Sequence, residues 1–484
     1  MTIIKAIALD AGTTSIKAGL LDQQGELKSI ISRSAPEISP WIVAKDGRYE
    51  SNALAYAAQV DQVLAESLAQ AGGCRTVGLC SQRSSFLVWE KSTGRPVTPL
   101  ISWQDKRGAV SCEALRTHET KIRSLTGLPL TPYYLAPKLR TLLQENPEYF
   151  QKLVDREFLT GTLDTFLIWR WTGGEHHVSD ASMAARTMLM DVSRQQWSPM
   201  LCDLFGIPLN ILPRIISSED INLKLNNGLI LAASVADQSA ALIASVKEEQ
   251  VEALVNLGTG CFVIRYLSKK ISAAAKSTSR GYLQTLIYQD KKLTPHFAVE
   301  GTLNSVVAAL APYPVNECRV EDLARDDIFC LAEPSGLGAP YFDSRHFLSC
   351  HQDPLHSDLA IQFSHSVKHL SSYRIAVLLL EAVIFRLVRT LEDFHSESDI
   401  QRVYLSGGLS ELPCLQEGIA SCVSFDVFHL QQRETSLQGA ALLAAGLRKE
   451  RCRESDPISK TYVSPKLLEK YGHWKVWLDG LLDS

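Results

Sequence analysis

Over the first eighty positions, short apolar runs alternate with glycine and hydroxyl residues. Ile3–Leu9 and Lys17–Leu21 read as strands, Asp22-Gln23-Gln24-Gly25 as a turn and Glu26–Ser32 as a third strand. Ser51 is placed to cap a helix running to Ala71, with Leu54, Ala57, Ala58, Val60 and Leu64 at helical spacing. Beyond Gly72-Gly73, Thr76–Cys80 is a short strand. Strands, a packed helix and a further strand predict an α/β layered architecture. The opening theme recurs after an alanine-rich helix, Ala240–Val246: Ala253–Leu257, the loop Gly258-Thr259-Gly260, then Cys261–Leu267. The repeat is weak in letters, and duplication is its simplest reading. A third unit follows, with Arg402–Leu405 as strand, Ser406-Gly407-Gly408 as loop and a helix after Ser410. The apolar run Ile375–Phe385 contains Glu381 and is followed by Arg386, which predicts a buried helix rather than a membrane span.

Length changes this picture. At 484 residues the chain exceeds one ordinary core. The charged segment Lys247-Glu248-Glu249-Gln250 is the expected junction, giving domains over 1–247 and 248–450 and a surface tail over 451–484. An apolar fraction of 45% and a charged fraction of 21% fit a soluble globular enzyme. A net charge of −4 gives no electrostatic footprint for nucleic acid, and Arg448–Arg453 reads as a solvated helix end. Eleven cysteines are scattered singly without a C-x-x-C pair, which predicts reduced thiols, no zinc site and a cytoplasmic protein. The chain begins almost directly in a strand, with no small-residue cleavage signal.

Candidate chemistry centres on Asp10-Ala11-Gly12-Thr13-Thr14-Ser15. Gly12 lets backbone approach a polyphosphate, and Thr13, Thr14 and Ser15 supply hydroxyl and amide donors. Asp10 is suited to hold a hydrated Mg²⁺ against the phosphates. The Walker spacing G-x-x-x-x-G-K-[ST] is absent, and glycine and threonine also occupy hairpins for conformational reasons alone. A second loop at Gly258 and Thr259 and a third at Gly407 and Gly408 raise the phosphate reading. Two loops are suited to clamp a polyphosphate, and the third lets a nucleoside lie against bare backbone.

These three loops resemble the phosphate and adenosine elements shared by sugar kinases, heat-shock chaperone ATPases and actin. Within that superfamily the chain is similar to the FGGY carbohydrate kinases, and most similar to their glycerol kinase branch. The likeness spans roughly residues 3 to 447. It is carried by Ser81-Gln82-Arg83, Val88-Trp89-Glu90, Ser102-Trp103-Gln104-Asp105, Gly161–Thr165, Trp171–Gly174, Ala184–Leu189 and Phe205–Pro208. Ser335–Asp343 and Glu434-Thr435 with Gly439-Ala440-Ala441 complete it.

The resemblance implies two actin-like, ribonuclease H-like ATPase domains facing a central cleft. It implies an ATP-dependent kinase acting with Mg²⁺ on a small-molecule sugar or polyol. Neither nucleic acid nor membrane is implied as a partner, and a second copy of the chain is a candidate one. Asp237 takes the position of the family's catalytic base, with Ala236 where the family usually has glycine. A carboxylate there orients a sugar hydroxyl and accepts its proton. The same residue is placed to cap the helix that follows. Gln82, Arg83, Ser84, Trp103, Tyr133, Asp237, Gln238 and Phe262 map onto acceptor positions, and Lys17 keeps a positive charge for the phosphates. Without the resemblance, Arg83 would read as structural and Trp103 as a core aromatic.

Two departures bear on specificity. Glycerol kinase carries glutamate where this chain has Ser84, which leaves room for a ketose or a longer polyol. In the adenosine region Ser406 and Leu412-Pro413 replace the usual residues. A sensor that binds sugar or nucleotide without turnover is the alternative from another class.

Overall fold

The computed structural model describes residues 3–36, 47–248, 251–258, 260–267 and 281–447, save 344, 346, 348, 354, 357 and 358, together with 456–458 and 465–484. Contacts divide the chain into two compact units. One comprises Met1–Ala244, Gln284–Ala298 and Thr435–Arg451; the other comprises Ser245–Leu283, Val299–Glu434 and Cys452–Ser484. Glu249 and Gln250 of the expected junction, and the basic segment from Arg448 to Arg453, lie outside the described residues.

The first unit is built on one six-stranded sheet. Its strands are β1 (Ile4–Ala11), β2 (Ser15–Asp22), β3 (Leu27–Ser34), β4 (Thr76–Ser81), β5 (Glu219–Lys224) and β6 (Ile230–Ala236), in the order β5-β6-β4-β1-β2-β3. β1, β2 and β3 are antiparallel, whereas β4 runs parallel to β1 and β6 parallel to β4. Ala6, Ile7, Ala8 and Leu9 are all fully buried, as expected of a central strand covered on both faces. The helix Ala53–Gln70 is capped by Asn52 rather than Ser51. The Asn52 carboxamide oxygen accepts the Ala55 N–H at 2.9 Å, while Ser51 is spent in the two-residue strand Glu50–Ser51.

A helix from far along the chain, Thr435–Ala444, packs on β1, β4 and β6. Missing side chains allow the approach. A Cβ at Gly78 would stand 2.2 Å from the Ala440 carbonyl oxygen, and one at Gly439 would stand 1.9 Å from that of Ala240.

In the second unit β7 (Glu252–Leu257) and β8 (Cys261–Tyr266) form an antiparallel hairpin. Their six-stranded sheet also holds β9 (Pro295–Leu303, of which Val299–Leu303 belong to this unit), β10 (Arg402–Ser406) and β11 (Asp426–His429), and five of its strands run in the order β9-β8-β7-β10-β11. β10 is parallel to β7, and β11 to β10. The first unit repeats this plan as β3-β2-β1-β4-β6. The weak repeat in the letters therefore has a clear counterpart in strand order.

The apolar run at Ile375–Phe385 lies within a 27-residue helix, Ser372–Ser398. Its buried Glu381 is paired with Lys470, and its buried Arg386 with Glu333 at 2.7 Å. Among the described residues no helix is long and apolar enough to cross a membrane. The tail, expected to pack on the surface, folds in part as the helix Pro465–Leu482, with Trp474 and Leu478 fully buried where its apolar stripe meets the long helix.

Candidate active site

The register of the first sheet brings three loops to one edge. Asp10 stands beside Cys80, and Cys80 beside Val235. One step on, Ala11, Ser81 and Ala236 are level. The chain therefore leaves the carboxyl ends of β1, β4 and β6 as Gly12, Gln82 and Asp237, side by side. Crevices at such strand ends are where α/β sheets take their ligands.

The glycine loop is tight. The Gly12 N–H donates to the Ser15 carbonyl at 3.2 Å, and a Cβ at Gly12 would stand 2.8 Å from that oxygen. The Tyr56 hydroxyl donates to the Gly12 carbonyl at 2.7 Å, and burial holds that phenol well above its usual range. Asp10 and Lys17 face each other across the β1–β2 pair. Thr14 is exposed, Thr13 and Ser15 only in part.

Thr13, expected among the phosphate donors, also bonds within the protein. Its hydroxyl donates to the Gln82 side-chain oxygen at 3.2 Å and accepts the Trp103 indole N–H at 2.9 Å. The Gln82 oxygen also accepts from the Ser85 hydroxyl at 2.9 Å, and the Ser85 oxygen accepts the Trp103 backbone N–H at 3.0 Å. Trp103 in turn stacks on Tyr133, with ring centroids 5.9 Å apart and an interplanar angle of 27°. One network therefore ties the glycine loop to the aromatic wall. Its member Tyr56 carries no motif of its own, and nothing in the sequence marked it.

Arg83 and Asp237 meet, with the guanidinium Nε 3.6 Å from the Asp237 Oδ1. Asp237 is the first residue of the helix Asp237–Ser245, and its Oδ1 accepts the N–H of Gln238 at 2.7 Å. Ser84 sits in the left-handed region at φ 63°, a conformation costly for a residue with a Cβ. Its hydroxyl donates to the Arg186 carbonyl at 3.0 Å, and its own carbonyl accepts from Lys138 at 3.0 Å. The Lys138 ammonium also donates to the Ser102 carbonyl at 2.8 Å. Lys138 is fully buried, and burial pushes it down to about 7. A lysine inside the apolar stripe of the helix Leu135–Glu145 was the signal for this position.

In the second unit the two loops also come together. Gly258 follows β7, and Asn256 is level with Ser406 of the parallel strand β10. Gly407 adopts φ 89°, and a Cβ there would stand 2.6 Å from the Leu257 carbonyl carbon. Gly408 has open space where its side chain would be. These bare backbone edges fit a nucleotide. Thr259 lies outside the described residues, Phe262 stands on β8 opposite Asn256, and Leu412 is buried. Among the described residues no group of three or more His, Cys, Asp or Glu side chains is arranged to hold a metal ion. A Mg²⁺ held mostly by phosphate and water needs no such group.

Residues 5–245 match the N-terminal domain, and residues 253–446 the C-terminal domain, of the FGGY family of carbohydrate kinases. A glycerol kinase of Haemophilus influenzae (strain PittEE) is 30% identical over 505 aligned residues, covering 97% of this chain and 96% of that protein. Among solved structures, Plasmodium falciparum glycerol kinase with ADP superposes with a TM-score of 0.81 at 20% identity, over 99% of this chain and 98% of that one. A ligand-bound xylulose kinase from Lactobacillus acidophilus gives 0.78 at 17%, over 99% and 98%. The two domains have the actin-like fold of these kinases, and the activity is ATP-dependent phosphorylation of an alcohol group on a sugar or polyol. With both domains matched in order along nearly the whole chain, this protein belongs to the FGGY family of carbohydrate kinases.

Proposed function

We propose that this kinase phosphorylates a sugar or polyol longer than glycerol, with Asp237 as its general base. The carrying observation is Ser84. A glutamate there would present two oxygens to substrate hydroxyls, whereas the serine is short and bonded to the Arg186 carbonyl. Loss of that carboxylate leaves Arg83 and Asp237 to grip the reacting end, and the stacked Trp103 and Tyr133 to cover a carbon face.

In the reaction an acceptor O–H gives its proton to the Asp237 carboxylate as its oxygen bonds to the γ-phosphorus. The bond from that phosphorus to the bridging β–γ oxygen breaks, and ADP leaves. Arg83 holds Asp237 and the acceptor in one orientation. Thr14, Ser15 and Lys17, with Gly258, Gly407 and Gly408, are assigned to the nucleotide, and Thr13 to holding Trp103 and Gln82 as well. Asp10 would hold the Mg²⁺, which supplies charge neutralisation of the phosphates when bound.

The test is a panel of polyols, ketoses and glycerol with MgATP, read by ADP release and product mass. A longer acceptor is expected to exceed glycerol in kcat/KM; glycerol as the best acceptor would overturn the substrate reading. Asp237→Asn is expected to lower turnover by roughly 10²–10⁴-fold while nucleotide affinity stays near wild type. A folded Asp237→Asn protein with near-normal turnover would remove the base assignment.

A further inference from the structure

Asp237 is held from behind by a buried carboxylate that touches no part of the candidate site. Asp180 is fully buried and caps the short helix Ala181–Ala184. Its two oxygens accept four hydrogen bonds. The N–H groups of Ser182 and Met183 reach it at 2.8 and 3.0 Å, and the hydroxyls of Ser182 and Ser218 at 3.1 and 2.6 Å. Each of those two serines then grips β6. The Ser182 hydroxyl has one proton, given to Asp180, so its lone pair faces outward and accepts the Ala236 N–H at 2.8 Å. The Ser218 carbonyl accepts the Ser234 N–H at 3.0 Å. Residues 234 and 236 share one edge of the strand, and Asp237 is the next residue.

We infer that Asp180, acting through Ser182, is a positioning residue for phosphoryl transfer: it fixes the end of β6 and so the placement of the Asp237 carboxylate. The inference rests on the reading of Asp237 as base. The physical reason for a carboxylate hub is satisfaction, its donors opposing the burial and the neighbouring Asp164 charge that push Asp180 up to about 7. All four groups aimed at Asp180 are donors, so a carboxylate accepts them all, whereas an amide would set its own N–H bonds against two of them. The strand end leaves the Ala236 N–H needing a partner, and Ser182 supplies it. Small displacements at such a point matter, because misplacing a reacting group by about 1 Å costs on the order of 10²-fold in rate.

The experiment compares Ser182→Ala, Ser182→Thr and Asp180→Asn with Asp237→Asn and with the double variant Ser182→Ala/Asp237→Asn. The intact chain is used, with MgATP and the best acceptor from the panel. Ser182→Ala and Asp180→Asn are expected to lower kcat by roughly 10–100-fold with KM for MgATP within about twofold. Ser182→Thr, which keeps the hydroxyl, should restore most of the rate. In the Asp237→Asn background, Ser182→Ala should cost almost nothing further, because the group it positions is gone. A merely structural role would multiply the two losses or show as a lower melting temperature with kcat intact. Where Asp180→Asn fails to fold, Ser182→Ala decides. Full kcat in folded Ser182→Ala, or multiplicative losses in the double variant, overturns the inference. Full turnover in Asp237→Asn overturns it together with the base reading.

Discussion

At the scale of single residues, Ser84 carries the most information about specificity. It is nearly buried, at 5% exposure, and its backbone is held in the left-handed region. Lys138 anchors its carbonyl and Arg186 receives its hydroxyl, so position 84 is fixed on both sides. Ser84→Glu must break the contact to Arg186 and push three further heavy atoms into packed space. We expect kcat/KM on the best longer acceptor to fall by about 10–200-fold, the range that fit in a pocket commands, while glycerol loses less or gains. The ratio of kcat/KM for the two acceptors reads this directly. A uniform loss on both would show that Ser84 bears on the fold and not on acceptor length. The sequence displayed the serine, but not that its hydroxyl bonds a carbonyl 102 positions away.

At the scale of elements, the helix Thr435–Ala444 shows how composition becomes placement. Gly439-Ala440-Ala441 stood out in the sequence only as part of a resemblance. In the structure Gly439 lies against the Ala240 carbonyl, on the helix that Asp237 begins. Gly439→Ala would drive a methyl into backbone, which side-chain rotation cannot relieve. A loss of about 1–3 kcal/mol in unfolding free energy is expected, measured by urea denaturation of the first unit's transition. Turnover should fall as well if the Asp237 helix is displaced, whereas Ala441→Gly should cost only about 1 kcal/mol, the usual helix penalty. Element boundaries tell a related story. The sequence pattern put the cap at Ser51, and the structure moves it to Asn52 because Ser51 pairs with Leu100 in a short strand. Periodicity within a helix cannot reveal a strand partner half a domain away.

At the scale of the whole molecule, pH exposes a buried group. His177 packs edge-on against Trp89, with centroids 5.7 Å apart, and its Nε2 lies 2.9 Å from the Thr160 carbonyl. Burial pushes it down to about 4, from an ordinary value near 6.5. Below pH ~6.5 the unfolded chain takes up a proton that the folded chain refuses. Stability of the first unit should therefore decline as pH falls from about 6.5 to about 4, and the His177 contribution should level off below that. His177→Phe keeps the aromatic contact and should flatten this part of the profile, read from urea midpoints at pH 7.5 and 4.5. An unchanged slope in the variant would show that other groups set it.

The sequence by itself determined the strand–loop–strand openings, the three glycine loops, the buried helix around Glu381 and the family, because each is written in adjacent residues or in ordered motifs. It put Arg83 and Asp237 at acceptor positions only through resemblance; the sheet register brought them within 3.6 Å of each other. What tertiary structure alone decided are the contacts between distant positions. Thr13 meets Trp103 across 90 residues and Gln82 across 69, and Ser182 meets Ala236 across 54. The burial of the tail helix, with Lys470 on Glu381 across 89 residues, belongs to the same class. The physical reason is common to all of them. A hydrogen bond or a close helix approach depends on where two chain segments are carried by the sheet, and no local periodicity encodes that distance.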